Sequence, residues 1–254
     1  MTSIIKKWYG RTGNNIIQII NCIHYSFFIK KCKNIILPKH ELLSSREIKS
    51  LEFFEETRKK ITDKDHFFYA KKLGFVLSPK QMRDITQKYI VPILNLKLDL
   101  KDTEDNVSIH LRGGDIMRTH PSFIQPPWLY YKTILDNNNF KSIHVVHEDN
   151  LNSCIDEFRK LPKTSFQSTT IKNDLEKLCM AENLIMSFST FSLFVFFVSK
   201  NIKRLFVPKY MIDEWYPDLD WGIKIDVIEL NGYDMKLWRN KNLNEKRKLL
   251  LEFN

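Results

Sequence analysis

Val107-Ser108-Ile109-His110-Leu111-Arg112-Gly113-Gly114-Asp115 is the stretch on which the reading of this chain turns. Val107, Ile109 and Leu111 alternate with Ser108, His110 and Arg112, the period-2 pattern of a short strand. Gly113-Gly114 stops the strand and frees the backbone, and Asp115 follows at the turn. A strand ending in a cation, two glycines and a carboxylate presents charge at its carboxyl end, where open α/β sheets bind ligands. The guanidinium of Arg112 offers a planar fork of donors that matches two phosphate oxygens. The plainer reading is a surface strand on which Arg112 and Asp115 pair with each other.

Beyond this stretch, apolar strands alternate with amphipathic helices. Strands are expected at 107–112, 142–147, 183–187, 203–207 and 224–230, with a possible edge strand at 167–171. Helices are expected near 126–137, 150–160, 173–182, 190–200 and 234–252. Such alternation implies βαβ units and a parallel sheet. Upstream, residues 3–9 read as a strand and 10–15 as a glycine turn. Ile16 to Phe27 read as a buried helix, 34–38 as a second strand, and 44–62 and 79–96 as helices. Residues 99–106 are polar and acidic and mark a lobe boundary, dividing the chain into 1–105 and 106–254.

The 254 residues carry 40 Lys and Arg against 30 Asp and Glu, a net charge of +10 that favours anionic partners. The basic residues form no dense tract, which counts against a dedicated nucleic-acid module. Cys22, Cys32, Cys154 and Cys179 make no C-x-x-C or zinc spacing and read as buried, reduced thiols. The N-terminus has no signal-peptide pattern, and no apolar run reaches the roughly 20 residues of a membrane span. The expectation is a soluble, cytoplasmic protein.

Three ordered segments resemble the fucosyltransferase superfamily, nearest to its α-1,2 family. Gly10-Arg11-Thr12-Gly13-Asn14-Asn15 is similar to G-[GR]-x-G-N-Q, and His110 to Asp115 to H-x-R-R-G-D. Phe188-Ser189-Thr190-Phe191-Ser192-Leu193-Phe194 is similar to N-S-T-F-S-W-W, and His147-Glu148-Asp149 to a softer strand-end S-D-D. The departures are Gly113 for the second arginine, Asn15 for glutamine and Leu193-Phe194 for the tryptophan pair.

The resemblance implies a GT-B-like α/β architecture: two Rossmann-like lobes, their parallel sheets facing across a cleft. It implies a metal-independent, inverting glycosyltransferase that needs no cofactor. The donor nucleotide-sugar, GDP-fucose above all, would sit on residues 106–254, and a glycan acceptor mainly on 1–105. Arg112 would neutralise the leaving diphosphate, with Asp115 as base or as orienter of Arg112. Donor contacts would come from Gly10, Arg11, Gly13, Asn14, His110, Arg112, Glu148, Ser189, Thr190 and Phe191. Asp63 and Asp65 are further candidates for the base.

Other readings remain open at this level. His110 also suits a hydrogen-bonded core position, and Ser189 and Thr190 a plain helix cap. UDP-sugars are alternative donors. A metal-dependent GT-A enzyme would use a D-x-D, whose letters occur at Asp63-Lys64-Asp65 and Asp218-Leu219-Asp220. A catalytically dead sugar-binding relative and a basic nucleic-acid-binding protein complete the set.

Overall fold

A computed structural model of the chain describes residues 1–52, 59–62, 67–101, 105–118, 120, 123–217 and 220–253. The chain forms two compact units: Met1–Leu96 with Phe196–Val198, and Lys97–Val195 with Ser199–Asn254.

Unit 1 is built on a four-stranded sheet. Its elements are β1 (Thr2–Ile4), α1 (Thr12–Ile23), β2 (Asn34–Ile36), β3 (Glu47–Lys49), β4 (Lys60–Ile61) and α2 (Pro79–Ile85). The strand order is β3-β2-β1-β4, with β1 parallel to β2 and β4, and β3 antiparallel at the edge. Ile16, Ile19, Ile20 and Ile23 of α1 are buried with Ile35 and Ile48, as the helical spacing of the isoleucines requires.

Two expectations fail in unit 1. The first strand ends at Ile4 rather than at residue 9, because the backbone beyond it bonds to side chains of α1. Tyr9 N–H donates to Gln18 Oε1 (2.7 Å), and Asn15 Nδ2 donates to Tyr9 O (3.1 Å). The helix expected over 44–62 is replaced by β3 and β4 among the described residues. The Ser45 hydroxyl bonds the backbone of Glu47 in a tight turn, and Ile48 pairs with Ile35. The helix over 79–96 survives in three pieces: α2, a π-helical turn (Thr86–Ile90) and a 3₁₀ turn (Val91–Ile93). Ser78 and Gln81 form a capping box at the start of α2, with Pro79 as its first helical residue.

Unit 2 contains β5 (Asn106–Leu111), α3 (Gly114–Arg118), α4 (Trp128–Asp136), β6 (Ser142–His147), α5 (Cys154–Phe158), β7 (Thr164–Gln167), α6 (Ile171–Cys179), β8 (Asn183–Ile185), α7 (Thr190–Val198), β9 (Arg204–Pro208), α8 (Lys209–Trp215), β10 (Lys224–Ile228) and α9 (Leu243–Glu252). The end of α7 counts with unit 1. The six strands are all parallel in the order β10-β9-β8-β5-β6-β7. Counted from β5 this is the 3-2-1-4-5-6 order of the Rossmann fold, with its switch point between β5 and β8.

The edge strand lies three residues earlier than the 167–171 expected, because Thr170 leaves the sheet to cap α6 through Asn173 N–H. The helix expected over 234–252 splits into a 3₁₀ turn (Met235–Trp238) and α9, which opens on an Asn242–Glu245 capping box. The helices α3 and α8 were not foreseen; each is short and follows a strand directly. All four cysteines are buried and unbridged. Among the described residues no helix is long and apolar enough to cross a membrane.

At the opposite pole of this sheet, Glu182 anchors the starts of β8 and β9. Its carbonyl accepts the N–H groups of Lys203 and Arg204. Its carboxylate, 3% exposed, pairs with Lys101 (2.6 Å) and Lys203 (3.2 Å). Burial works to raise this carboxyl, but the two ammonium groups outweigh it and hold it below the usual range. Its charge therefore adds stability above the unfolded carboxyl value of about 4.3, which is lost as pH falls through the folded value. The double variant Lys101→Ala/Lys203→Ala leaves burial unopposed and reverses the shift. It is expected to be destabilised at neutral pH and to recover part of that deficit as pH falls toward about 4.3. Melting temperatures from pH 8 to 4 check this; a deficit independent of pH means the lysines only pack.

Candidate functional site

The carboxyl end of β5 lies beside the switch point, where a parallel sheet of this order opens a crevice. Leu111 ends the strand, and Arg112 leaves it with its side chain 13% exposed. One terminal nitrogen donates to Glu148, just beyond β6, and the other to Asp115 in the first turn of α3. Both readings of Arg112 start from this geometry: it sits where a ligand would bind, and it already holds two carboxylates. The Arg112 carbonyl accepts from Asn152 Nδ2 (3.1 Å), which fixes the turn from behind.

The two glycines have a structural cause. Asp149 Oδ1 accepts from Leu151 N–H (2.9 Å) and its Oδ2 from Gly114 N–H (3.0 Å). This pinned carboxylate occupies the space a β-carbon on Gly113 would need. Gly114 has φ +60°, and a β-carbon there would lie 2.7 Å from the Glu148 carboxylate. A side chain at 113, arginine included, is thus incompatible with Asp149 as placed.

His110 is 5% exposed, and its Nδ1 lies 2.8 Å from both Ser187 Oγ and Ser192 Oγ. The two hydroxyls are 3.1 Å apart, and the ring of Phe191 lies 5.1 Å from the imidazole. This buried knot joins β5 to the start of α7. Ser189 caps α7 by accepting from Phe191 N–H (3.1 Å), and Thr190 is the first helical residue. The cap reading of Ser189 is what its hydroxyl does.

The glycine-turn motif belongs to unit 1. Gly10 has φ +68°, and a β-carbon there would strike the side chain of Asn14. Arg11 is the exposed N-cap residue of α1 and makes no side-chain cap, while Gly13 is buried in the first turn. So Gly10, not Gly13, is the glycine that the backbone demands. Asp63, Asp65 and Asp218 lie outside the described residues. Asp220 is described, and it accepts from Gly222 N–H (2.8 Å) in a turn. Among the described residues no group of three or more His, Cys, Asp and Glu is arranged to hold a metal ion.

Ser187 and His120 escaped the sequence reading, and Asp149 and Ser192 stood in its motifs without a role of their own. His120 N–H donates to Asp115 O (3.1 Å). Its carbonyl accepts from Lys246 Nζ (3.0 Å), a lysine buried in α9 that also donates to Ile116 O (3.2 Å). Burial pushes the His120 imidazole below its ordinary value; Asp115 pulls it up, and Lys246 and Arg112 press it down. Burial likewise lowers Lys246.

Comparison with protein-family models, with curated proteins and with solved structures found no match to this chain.

Two outcomes test this geometry. Gly113→Ala should destabilise by about 1–3 kcal/mol, the scale of overpacking, and should cost clearly less in an Asp149→Ala background. Urea unfolding of the two single variants and the double one measures that coupling; strict additivity would mean Asp149 does not set the glycine. Second, NMR titration should place the His120 ring below about 6.5. Asp115→Asn should lower it further, since that carboxylate favours the imidazolium. An upward shift would show that Asp115 does not face the ring.

Proposed function

We propose that the chain is a glycosyltransferase that moves a sugar from a nucleotide-sugar, with GDP-fucose the favoured donor, onto a glycan hydroxyl. The observation that carries this reading is the position of Arg112, at the carboxyl end of the first Rossmann strand and beside the switch point. The motif resemblance supports the reaction class, and the strand order supports a nucleotide at the carboxyl end of β5. In this reading the lobes are those of a GT-B enzyme, with the donor on unit 2.

The division of labour follows from the chemistry of each group. Glu148 stands after the second Rossmann strand, where a carboxylate in this fold accepts ribose hydroxyls. Arg112 neutralises charge that grows on the diphosphate as the glycosidic bond breaks. The strand end pairs Asp115 and Glu148 with one guanidinium, an acidic balance that opposes a diphosphate. Asp115, with 52% of its side chain exposed, is the carboxylate that can turn to water and release a face of Arg112. Released, it is also the group able to take the acceptor proton. His110, through its bonds to Ser187 and Ser192, holds the start of α7 against β5 and acts as a positioning residue.

Thermal-shift measurements against GDP-fucose, other GDP-sugars and UDP-sugars test the reading, because a ligand of the folded state raises its stability by mass action. One donor class is expected to stabilise the wild type, and Arg112→Ala to abolish that shift. Turnover in Arg112→Ala should fall by about 10²–10³. Arg112→Lys should restore only part, since an ammonium keeps the charge without the fork. If Arg112 serves only its ion pairs, Arg112→Ala and Asp115→Asn will lower the melting temperature alike and leave donor affinity at the wild-type level. That result removes the strand end as the diphosphate site.

A further inference from the structure

The net charge of the chain resides in one unit. Residues 1–96 hold 18 Lys and Arg against 8 Asp and Glu, whereas residues 97–254 hold 22 of each. In sequence these cations are scattered, but the fold gathers six of them around a group of aromatic rings.

That group lies beyond the carboxyl ends of β1 and β2. The backbone of Lys7 to Gly10 is held rigid by α1 through Gln18 and Asn15, which fixes Trp8 and Tyr9 in place. Trp8 Nε1 donates to Lys39 O (2.9 Å) and its ring meets His40 edge-on at 5.4 Å. The hydroxyls of Tyr9 and Tyr69 are hydrogen-bonded (2.9 Å), and Phe68 lies 4.6 Å from the Tyr9 ring. Asn21 Nδ2 fixes Phe68 through its carbonyl (2.9 Å). Lys72 Nζ sits 4.7 Å from the centre of the Tyr69 ring. Tyr9 and Tyr69 are 40% and 39% exposed. Lys6, Lys7, Arg11, Lys39, Lys71 and Lys72, all exposed, stand within three residues of these rings along the chain.

We propose that this surface binds an acidic oligosaccharide, the acceptor chain of the transfer proposed above, on which reading its role as acceptor site rests. A flat ring held in place by its own hydroxyl matches the C–H face of a pyranose. The surrounding cations match the carboxylate or sulfate groups of successive sugars. A bilayer would require an apolar anchor among the cations; of the exposed aliphatic side chains among the described residues of this unit, Ile29 and Leu51 lie at the other end of the sheet, Ile29 before β2 and Leu51 after the antiparallel β3, and Val76 alone follows the segment of Tyr69 and Lys72.

Calorimetric titration of the whole protein tests the proposal with four probes: a galacturonic acid hexamer, a neutral galactose hexamer, inorganic polyphosphate and a twelve-residue oligo-dT. The acidic hexamer is expected to bind about tenfold or more tightly than each of the others. Tyr9→Ala and the double variant Lys71→Glu/Lys72→Glu should each weaken it by about tenfold, while Tyr9→Phe, which keeps the ring, should retain it. Circular dichroism confirms that each variant is folded. Equal affinity for the neutral hexamer overturns the proposal. So does oligo-dT or polyphosphate binding as tight as the acidic hexamer and indifferent to Tyr9→Ala, which would mark a general polyanion surface. Donor-induced thermal shifts of the wild type separate the two readings. A wild type that shows the donor shift but no preference for the acidic hexamer refutes this site alone. Selective binding without any donor shift in the wild type refutes the transferase reading and leaves the sugar site standing without its role as acceptor site.

Discussion

The buried contact of His110 with Ser187 and Ser192 is the constraint on which unit 2 depends. Three polar side chains lie almost wholly out of water, where an unpaired one would cost about 1–3 kcal/mol. Nδ1 has one hydrogen or one lone pair to offer two hydroxyls at 2.8 Å, so the serines settle the remainder between themselves at 3.1 Å. That condition fixes how the loop after β8 and the first turn of α7 meet β5. It thereby fixes the walls of the switch point, and Arg112 leaves the strand two residues later.

Charge at the strand end is arranged with equal economy. Asp149 is consumed by two backbone N–H groups and compels glycine at 113. Glu148 and Asp115 hold Arg112 from two sides. A side chain at 113 is therefore excluded for a reason of space, since a pinned carboxylate stands there. Lys246 and the lowered imidazole of His120 bring further titratable groups to the same corner, reached from α9, more than a hundred residues away.

Much of the sheet could be read in the sequence because most strands of unit 2 are short apolar runs closed by a turn residue or a charge. The alternation through Val107, Ile109 and Leu111 is one such signal, and β6, β8 and β9 follow the same logic. Arg112, Asp115 and Glu148 were legible as strand-end charges. The roles of Asp149, Ser187 and Ser192 were not, because their partners are set by pairing across 35 to 82 residues rather than by local spacing. The helix expected over 44–62 failed for the converse reason. Its local signals favoured helix, and the pairing of Ile48 with Ile35 overrode them. The aromatic patch was invisible because Tyr9 and Tyr69 are 60 residues apart and meet only in the folded unit.

The unequal division of charge between the units has a kinetic consequence. A chain with all its excess cations on one unit experiences a torque, not only an attraction, in the field of a large anion. It turns before it touches, and the unit bearing the aromatic rings arrives first. Such steering reaches about 8 Å at physiological ionic strength and about 30 Å at a hundredth molar salt. Added salt would then slow encounter far more than it hastens departure, and the orientation of approach would be lost before the affinity is.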